Sequence, residues 1–307
     1  MITVWQGSAN TWDCDEMGHM NVRVYVEKAM EGLGVLAAAM GLENAFRDGA
    51  TSTLIPLDQH IRYMREALPG RPLTMRAGLL EVGETDAVVY QEMRHGDGRV
   101  AAAFRTRVRH AVARTGRPFP WPSRCLDRVE ALRVTAPEET APRSLDPDGP
   151  VLNAGDATRA AADAAGVPLV GIGQVLPNQV DVHGRFWAPW FIGRISDSVP
   201  NLLYDWRSRI GEMTGGVDTG GAVLEYRLVY RAWPKVGDLL EVRSGLNRVG
   251  EKFHTLVHWV VDPVSGQPWL TSEAVAVTFD LKTRKIIPTP SDQIAALESI
   301  APRGLSI

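Results

Sequence analysis

Only two cysteines, Cys14 and Cys125, occur among 307 residues, too few for a disulfide framework or a zinc cluster. No stretch approaches the roughly 18 apolar residues of a membrane span. The opening Met1-Ile2-Thr3-Val4-Trp5-Gln6 also lacks the basic leader and apolar run of a secretory signal. The expectation is a cytoplasmic chain with no membrane partner. Excess charge of one sign is missing too: 33 Lys and Arg against 36 Asp and Glu leave a net charge of −3, which excludes the electrostatic footprint of a nucleic-acid partner. No glycine-rich phosphate loop of the dinucleotide or Walker type is found, and neither a metal nor another cofactor is expected. What is there suits an ordinary globular protein, with 45% hydrophobic and 22% charged residues in a chain long enough for two domains.

The most informative segment is Trp12-Asp13-Cys14-Asp15-Glu16-Met17-Gly18-His19-Met20-Asn21, which runs into an unbroken helical pattern from Val22 to Met40. It sets a carboxylate, a glycine turn, an imidazole and an amide at a helix mouth, where unpaired N–H groups and the macrodipole favour developing negative charge. Asp15 is the main candidate, as general base for water or as nucleophile on an acyl carbon. Gly18 brings the backbone close to a ligand, with the N–H groups of His19, Met20 or Asn21 as candidate oxyanion donors. His19 and Asn21 could orient Asp15, hold the water or cap the helix. Tyr25, one turn further in, could line the acyl pocket or pack beneath the sheet. The competing reading makes Asp15 a turn or capping aspartate. Glu27 and Glu31 share a helix face with Lys28 nearby, which fits either a helical catalytic carboxylate or a salt-bridged stripe. Cys14 would need a base to become a nucleophile and reads as packing.

The sequence also repeats itself. Asp15, Gly18 and Tyr25 fall opposite Asp181, Gly184 and Phe191 at an offset of 166, and Arg65 falls opposite Arg231. Gly78, Gly83 and Glu84 meet Gly245, Gly250 and Glu251 after a one-residue slip. Each copy reads as one helix and four strands. The first has Val22 to Met40, then strands at Ser52–Met64, Leu73–Val82, Ala87–His95 and Val100–Val112. The second has Phe186 to Tyr204, then strands at Gly221–Arg231, Leu239–Val249, Lys252–Val261 and Trp269–Asp280. Pro189 suits a helix start, whereas Pro200 should end or bend the second helix. The expected division is a first module at 1–117, a Pro-rich linker with a short helix at Asp156–Ala165 over 118–167, a second module at 168–290 and a tail at 291–307.

Asp13-x-Asp15-x-x-Gly18-His19-x-Asn21-x-x-x-Tyr25 resembles the signature of hot-dog-fold thioesterases related to 4-hydroxybenzoyl-CoA thioesterase. His60-Ile61-Arg62-Tyr63-Met64-Arg65-Glu66 and the following Gly70-Arg71-Pro72-Leu73 are similar to that family's next strand and turn. The likeness extends over residues 1 to 115 and, more faintly, 170 to 285. It implies an α+β tandem (double) hot-dog, each module a long central helix wrapped by a curved antiparallel sheet. It also implies acyl-CoA substrates, with coenzyme A present only as part of the substrate, and Asp15 as the catalytic carboxylate. Edge-to-edge pairing of two such modules would make an intrachain pseudo-dimer, placing Asp15 against strand 217–228 and Asp181 against strand 51–63. Association of these chains into a homo-oligomer stays open.

The second mouth reads Asp181-Val182-His183-Gly184-Arg185-Phe186-Trp187. It keeps the aspartate and the glycine but has Arg185 and Trp187 where the first has His19 and Asn21. This mouth is active, degenerate or substrate-binding; Arg185 could clamp an anionic group. The substrate-binding candidates are therefore Tyr25, His60, Asp181, His183, Arg185 and Trp187, with His60 sent toward the second mouth by the pseudo-dimer. Arg105, Arg107 and Arg109 share one strand face and are either a phosphate contact or a solvated face. Phe186, Trp187, Trp190 and Phe191 suggest an apolar acyl group. The leading expectation is an acyl-CoA thioesterase, against an enoyl-thioester hydratase or a non-catalytic acyl-thioester binding protein.

Overall fold

The structure, a computed structural model, describes residues 1–211, 219–302 and 304–307. Val217 and Asp218, where the strand expected to face Asp15 begins, and Arg303 in the tail lie outside the described residues. Contacts divide the chain into two units. One holds Met1–Pro142 with Gln179–Trp190, the other Arg143–Asn178 with Phe191–Ile307.

The first unit contains β1 (Ile2–Ser8), α1 (Val22–Ala39), β2 (Ser52–Tyr63), β3 (Pro72–Val82), β4 (Asp86–His95), β5 (Val100–Val112) and α2 (Ser123–Leu132). Its strands lie in the order β1-β3-β4-β5-β2, all antiparallel. Helix α1 starts where the Asn21 side chain accepts the Arg23 N–H at 2.9 Å, a regular N-cap. It buries Val24, Tyr25, Val26, Ala29, Met30, Leu33, Leu36 and Ala37. Each large apolar side chain taken out of water there contributes about 1.5–3 kcal/mol, so the nearly polar-free face in the sequence becomes the core. Gly32 allows close approach to the sheet, since a Cβ there would stand 2.8 Å from Val4 and 3.1 Å from Gln91. Gln91 donates across the same contact to the Ala29 carbonyl at 2.8 Å.

The second unit contains α3 (Arg159–Ala164), β6 (Leu169–Gln174), most of α4 (Pro189–Ile210), β7 (Thr219–Tyr230), β8 (Leu239–Val249), β9 (His254–Val261), β10 (Pro268–Asp280) and α5 (Ser291–Ile300). Its strand order, β7-β10-β9-β8-β6, is that of the first unit traced from the other end. Here the small residue at the helix–strand contact sits on the strand: a Cβ on Gly171 would run into the Ser198 hydroxyl. Asn201 donates to the Val170 carbonyl at 2.8 Å and Arg194 to that of Gln174 at 2.7 Å. Two carbonyls of the edge strand β6 are thus occupied, which blunts a template for stray pairing.

The repeat is written into the backbone. The β2–β5 ladder slips at Leu57 and the β7–β10 ladder at Leu224; the β3–β4 ladder slips at Leu80 and the β8–β9 ladder at Asn247. Both pairs are 167 positions apart. Bulges are built features that bend a strand and fix register, so each module curves at the same places. This shifts one expected equivalence. Met64 and Arg65 both donate to Ala101, and Arg231 and Ala232 both donate to Trp269, so Met64, not Arg65, corresponds to Arg231. The slip in offset has already occurred by this strand.

Other departures have local causes. Helix α4 begins at Pro189 rather than Phe186 because the Trp187 N–H turns back to the Gln179 carbonyl at 2.8 Å. It does not end at Pro200 but continues to Ile210. Burial of Phe191, Ile192, Ile195 and Leu202 on one face outweighs the roughly 3 kcal/mol an interior proline costs. Strands β1 and β6 and helices α2 and α5 are additional to the one-helix, four-strand pattern. Both helices follow a proline, Pro122 and Pro290, and each sends a following segment across a strand glycine. Val134 covers Gly78, and Pro302 and Leu305 cover Gly245. No helix among the described residues is long and apolar enough to cross a membrane.

These glycines yield a stability prediction. Gly78→Ala forces a methyl group into Val134 and the Leu132 carbonyl and should cost about 1–3 kcal/mol. Gly155→Ala meets no atom within 4 Å and should stay within about 0.5 kcal/mol of the parent. Thermal melts of the two variants check this, and an unchanged Gly78→Ala protein refutes the packing described.

Candidate active site

Residues 10–21 form a turn that is nearly self-sufficient in hydrogen bonds. Asp13 accepts the Asn10 N–H at 2.9 Å and closes a short 3-10 turn, Thr11–Asp13. Asp15 N–H donates to the His19 carbonyl and Gly18 N–H to the Asp15 carbonyl, both at 3.0 Å. Asn21 N–H returns to the Asp13 carbonyl at 2.9 Å. Gly18 sits at φ +79°, a conformation open to glycine at little cost. Two candidates thereby acquire structural roles: Gly18 makes the turn and Asn21 caps α1.

The turn brings Asp15 and His19 together. Asp15 Oδ1 accepts the Met17 N–H at 3.0 Å, and Oδ2 lies 3.3 Å from His19 Nδ1. Burial pushes the Asp15 pKa upward, but the hydrogen bond and charge of His19, with the Met17 and His19 N–H groups, outweigh it and hold the carboxyl below its ordinary range. Asp15 is therefore ionised near neutral pH. On the other side of the imidazole, His19 Nε2 is 3.8 Å from Glu66 Oε1. The side chains of Asp15 and His19 are only 14% and 12% exposed, whereas that of Glu66 is 42% exposed. An imidazole bracketed by two carboxylates is suited to accept a proton and carry it as imidazolium.

Glu66 escaped the sequence reading. It lies 47 positions beyond His19, and only the fold of β2 and the turn after it brings them together. Its sole trace was membership of the His60–Glu66 block. The amides considered for an oxyanion hole also have other duties. Met20 N–H donates to the Ala67 carbonyl at 2.8 Å and Asn21 N–H to Asp13, so the segment after β2 takes one donor and the turn itself the other. The positive end of α1 remains as the source of stabilisation for negative charge.

Tyr25 is 4% exposed, and its hydroxyl accepts the Ala67 N–H at 3.0 Å. His60 is 3% exposed on β2, opposite Arg105. Glu27 pairs with Arg23 at 2.8 Å and Lys28 at 3.4 Å, and Glu31 with Lys28 at 3.5 Å, which is the salt-bridged stripe. Cys14 donates its S–H to the Asn10 carbonyl, and burial together with the Asp15 and Asp13 charges pushes its thiol pKa up, opposite to what a nucleophile requires. Arg107 meets Asp86 at 2.9 Å and Arg105 meets Glu81 at 3.8 Å, so two of the three strand arginines face carboxylates. Among the described residues no group of His, Cys, Asp and Glu could hold a metal ion. A cleft of about 600 Å³ flanks the turn, bounded by Trp5, Asn10, Trp12, Asp13, Arg23 and Lys28, without Asp15 or His19 in its wall.

The second mouth copies the backbone and changes the chemistry. Asp181 N–H donates to the Arg185 carbonyl at 2.7 Å and Gly184 N–H to that of Asp181 at 3.0 Å, with Gly184 at φ +73°. Every one of these contacts repeats the first mouth at an offset of 166. Asp181 Oδ1 accepts the N–H groups of His183 and Arg185 at 2.8 and 3.0 Å, as Asp15 accepts those of Met17 and His19; the difference lies in the neighbouring side chains. His183 Nε2 is 3.0 Å from the Ala45 carbonyl, and the Arg185 guanidinium donates to the Ala113 carbonyl. Burial lowers the Arg185 pKa, partly countered by Asp181. The Trp187 N–H closes the turn on Gln179. The carboxylate–imidazole pair is thus made at the first mouth only, for its counterpart carries arginine at the histidine position.

A family model of the thioesterase-like superfamily matches residues 9–129 and again 176–297. Comparison with curated proteins gave no match. Among solved structures, an acyl-ACP thioesterase from Bacteroides thetaiotaomicron is 14% identical, with 89% of this chain and 96% of that one covered at a TM-score of 0.63. A 12:0-ACP thioesterase from Umbellularia californica is 11% identical, with 89% and 92% covered at the same TM-score. Identities this low speak to the fold, which in both cases is shared along nearly the whole chain. The two tandem modules, each a long helix against a curved antiparallel sheet, are hot-dog folds, and the chain belongs to the thioesterase-like superfamily.

Proposed function

We propose that the chain hydrolyses an acyl thioester at the first helix mouth, with Asp15, His19 and Glu66 as its working groups. One observation carries this reading: Asp15 and Glu66 stand 3.3 and 3.8 Å from the two ring nitrogens of His19, beside the start of α1. Water loses a proton to the imidazole as its oxygen adds to the thioester carbon. The resulting oxyanion faces the positive end of α1. Its collapse breaks the carbon–sulfur bond, and the proton held on His19 goes to the departing thiolate. The products are a carboxylic acid and a free thiol. Asp15 and Glu66 stabilise the imidazolium in between, the role a buried carboxylate plays beside a catalytic histidine. Direct attack by Asp15 on the carbonyl is the alternative route. Both of its oxygens already hold bonds, which favours the water route.

Coenzyme A is the carrier the Asp15–Tyr25 motif implies, while the two compared structures are an acyl-ACP and a 12:0-ACP thioesterase. We assign hydrolysis to one mouth per chain, because Arg185 and His183 are tied to backbone carbonyls beside Asp181. The same observation disfavours a hydratase that needs an aspartate–histidine pair at each mouth.

Loss of the carboxylate that orients and stabilises a catalytic histidine costs up to about 10⁴-fold. Asp15→Asn should therefore lower kcat by at least about a hundredfold in a thiol-release assay with a panel of acyl-CoA substrates, with ligand affinity retained. Asp181→Asn should keep its kcat, any effect being confined to KM. Equal rates for wild type and Asp15→Asn would remove the assignment. Glu66→Gln keeps the shape but loses the second negative charge on His19. It should lower kcat by about tenfold, on the order of 1.4 kcal/mol; a kcat unchanged under substrate saturation would take Glu66 out of the reaction.

A further inference from the structure

Tyr25 is buried one helical turn beyond the cap, yet its hydroxyl is spent on the distant backbone on either side of Glu66. That hydroxyl accepts the Ala67 N–H at 3.0 Å and lies 3.5 Å from the Arg65 carbonyl. On the other face of the same residue, the Ala67 carbonyl accepts the Met20 N–H at 2.8 Å. Ala67 is wholly buried and Met20 is 2% exposed, so water does not compete for either bond. The segment is also fixed upstream, where Met64 and Arg65 N–H groups share the Ala101 carbonyl at 2.8 and 3.1 Å. Between these two anchors only Glu66 points elsewhere, half exposed, toward His19.

Resting on the hydrolytic reading above, we propose that Tyr25 is a positioning residue. Its hydroxyl locks the Glu66–Ala67 peptide against the Asp15–Asn21 turn and so sets the carboxylate of Glu66 against His19. Three separate pieces of chain meet in this latch: the first turns of α1, the turn after β2, and the residue next to His19. A core tyrosine needs none of this, since phenylalanine would bury the same ring. Tyr63 makes the comparison concrete. Its ring packs edge-on to Tyr25 at 5.3 Å, and its hydroxyl reaches the Val22 carbonyl at 3.4 Å. Burial pushes the Tyr25 pKa far above its ordinary value, with smaller contributions from Glu66, Asp15 and Cys14, so the phenol stays neutral over the working pH range. The latch is therefore a fixed strut rather than a titrating switch.

The test is a double-mutant cycle on the full chain. A neutral hydrogen bond is worth about 0.5–1.5 kcal/mol, so Tyr25→Phe should lower kcat by up to about tenfold with KM within about twofold. If Tyr25 acts through Glu66, Tyr25→Phe/Glu66→Gln should be no slower than Glu66→Gln alone, as expected for coupled neighbours. Tyr63→Phe should keep kcat within about twofold. The ring ¹⁵N resonances of His19 give a readout that needs no substrate: Tyr25→Phe and Glu66→Gln should each shift them, Tyr63→Phe should not. If Tyr25→Phe folds poorly, Ala67→Pro removes the donor half of the same bond and should give the same resonance shift. A Tyr25→Phe protein with a lowered Tm but wild-type kcat and His19 resonances overturns the latch, and so do additive effects in the cycle. A wild type with no thiol release removes the hydrolytic reading instead, and the resonances still decide whether Tyr25 holds Glu66 to His19.

Discussion

The start of helix α1 is the constraint on which the candidate site depends. A helix mouth leaves its first donors without partners, and burying them unpaired costs more than the turn can recover. Here the demand is met locally: the Asn21 side chain caps the helix, the Asn21 N–H closes onto Asp13, and Asp15 and His19 bond across the glycine turn. The approach of Asp15 to His19 is a by-product of that closure. With Asp15 N–H on the His19 carbonyl, the two side chains leave the turn close together, and burial favours pairing of the charge.

The two mouths separate what the turn needs from what the chemistry needs. Backbone hydrogen bonds, positive-φ glycines and ladder bulges recur at offsets of 166 and 167, so the scaffold tolerates wide side-chain change. At the second mouth arginine and tryptophan replace histidine and asparagine without altering the turn, because the backbone supplies its bonds. Arg185 then bonds to the Ala113 carbonyl, and His183 to that of Ala45. Conserved geometry with diverged chemistry is what a duplicated module permits when function resides in a few side chains on a self-supporting frame.

How much was legible follows the range of each interaction. Strand β5 and the β8 and β10 ladders stand almost where alternation and turn residues put them, since both signals are local. Strands β1 and β6 were missed because short edge strands carry little alternation. Helices α2 and α5 were missed because they serve to carry the following segments over Gly78 and Gly245, which only the assembled sheet presents. Pro200 misled for a related reason: a local penalty was set aside by the burial of a helix face that no local rule weighs.

By itself the sequence determined the duplicated design, the helix and most strands of each module, and the turn that joins Asp15 to His19, because these rest on contacts a few residues long or on spacings repeated intact. Tertiary structure alone decided that Glu66 stands beside His19, that Tyr25 grips Ala67, and that the amides of Met20 and Asn21 are already engaged. Those facts join residues up to 47 positions apart. Chain spacing does not encode such meetings; they arise when a curved sheet and a buried helix bring distant polar groups within reach of one another.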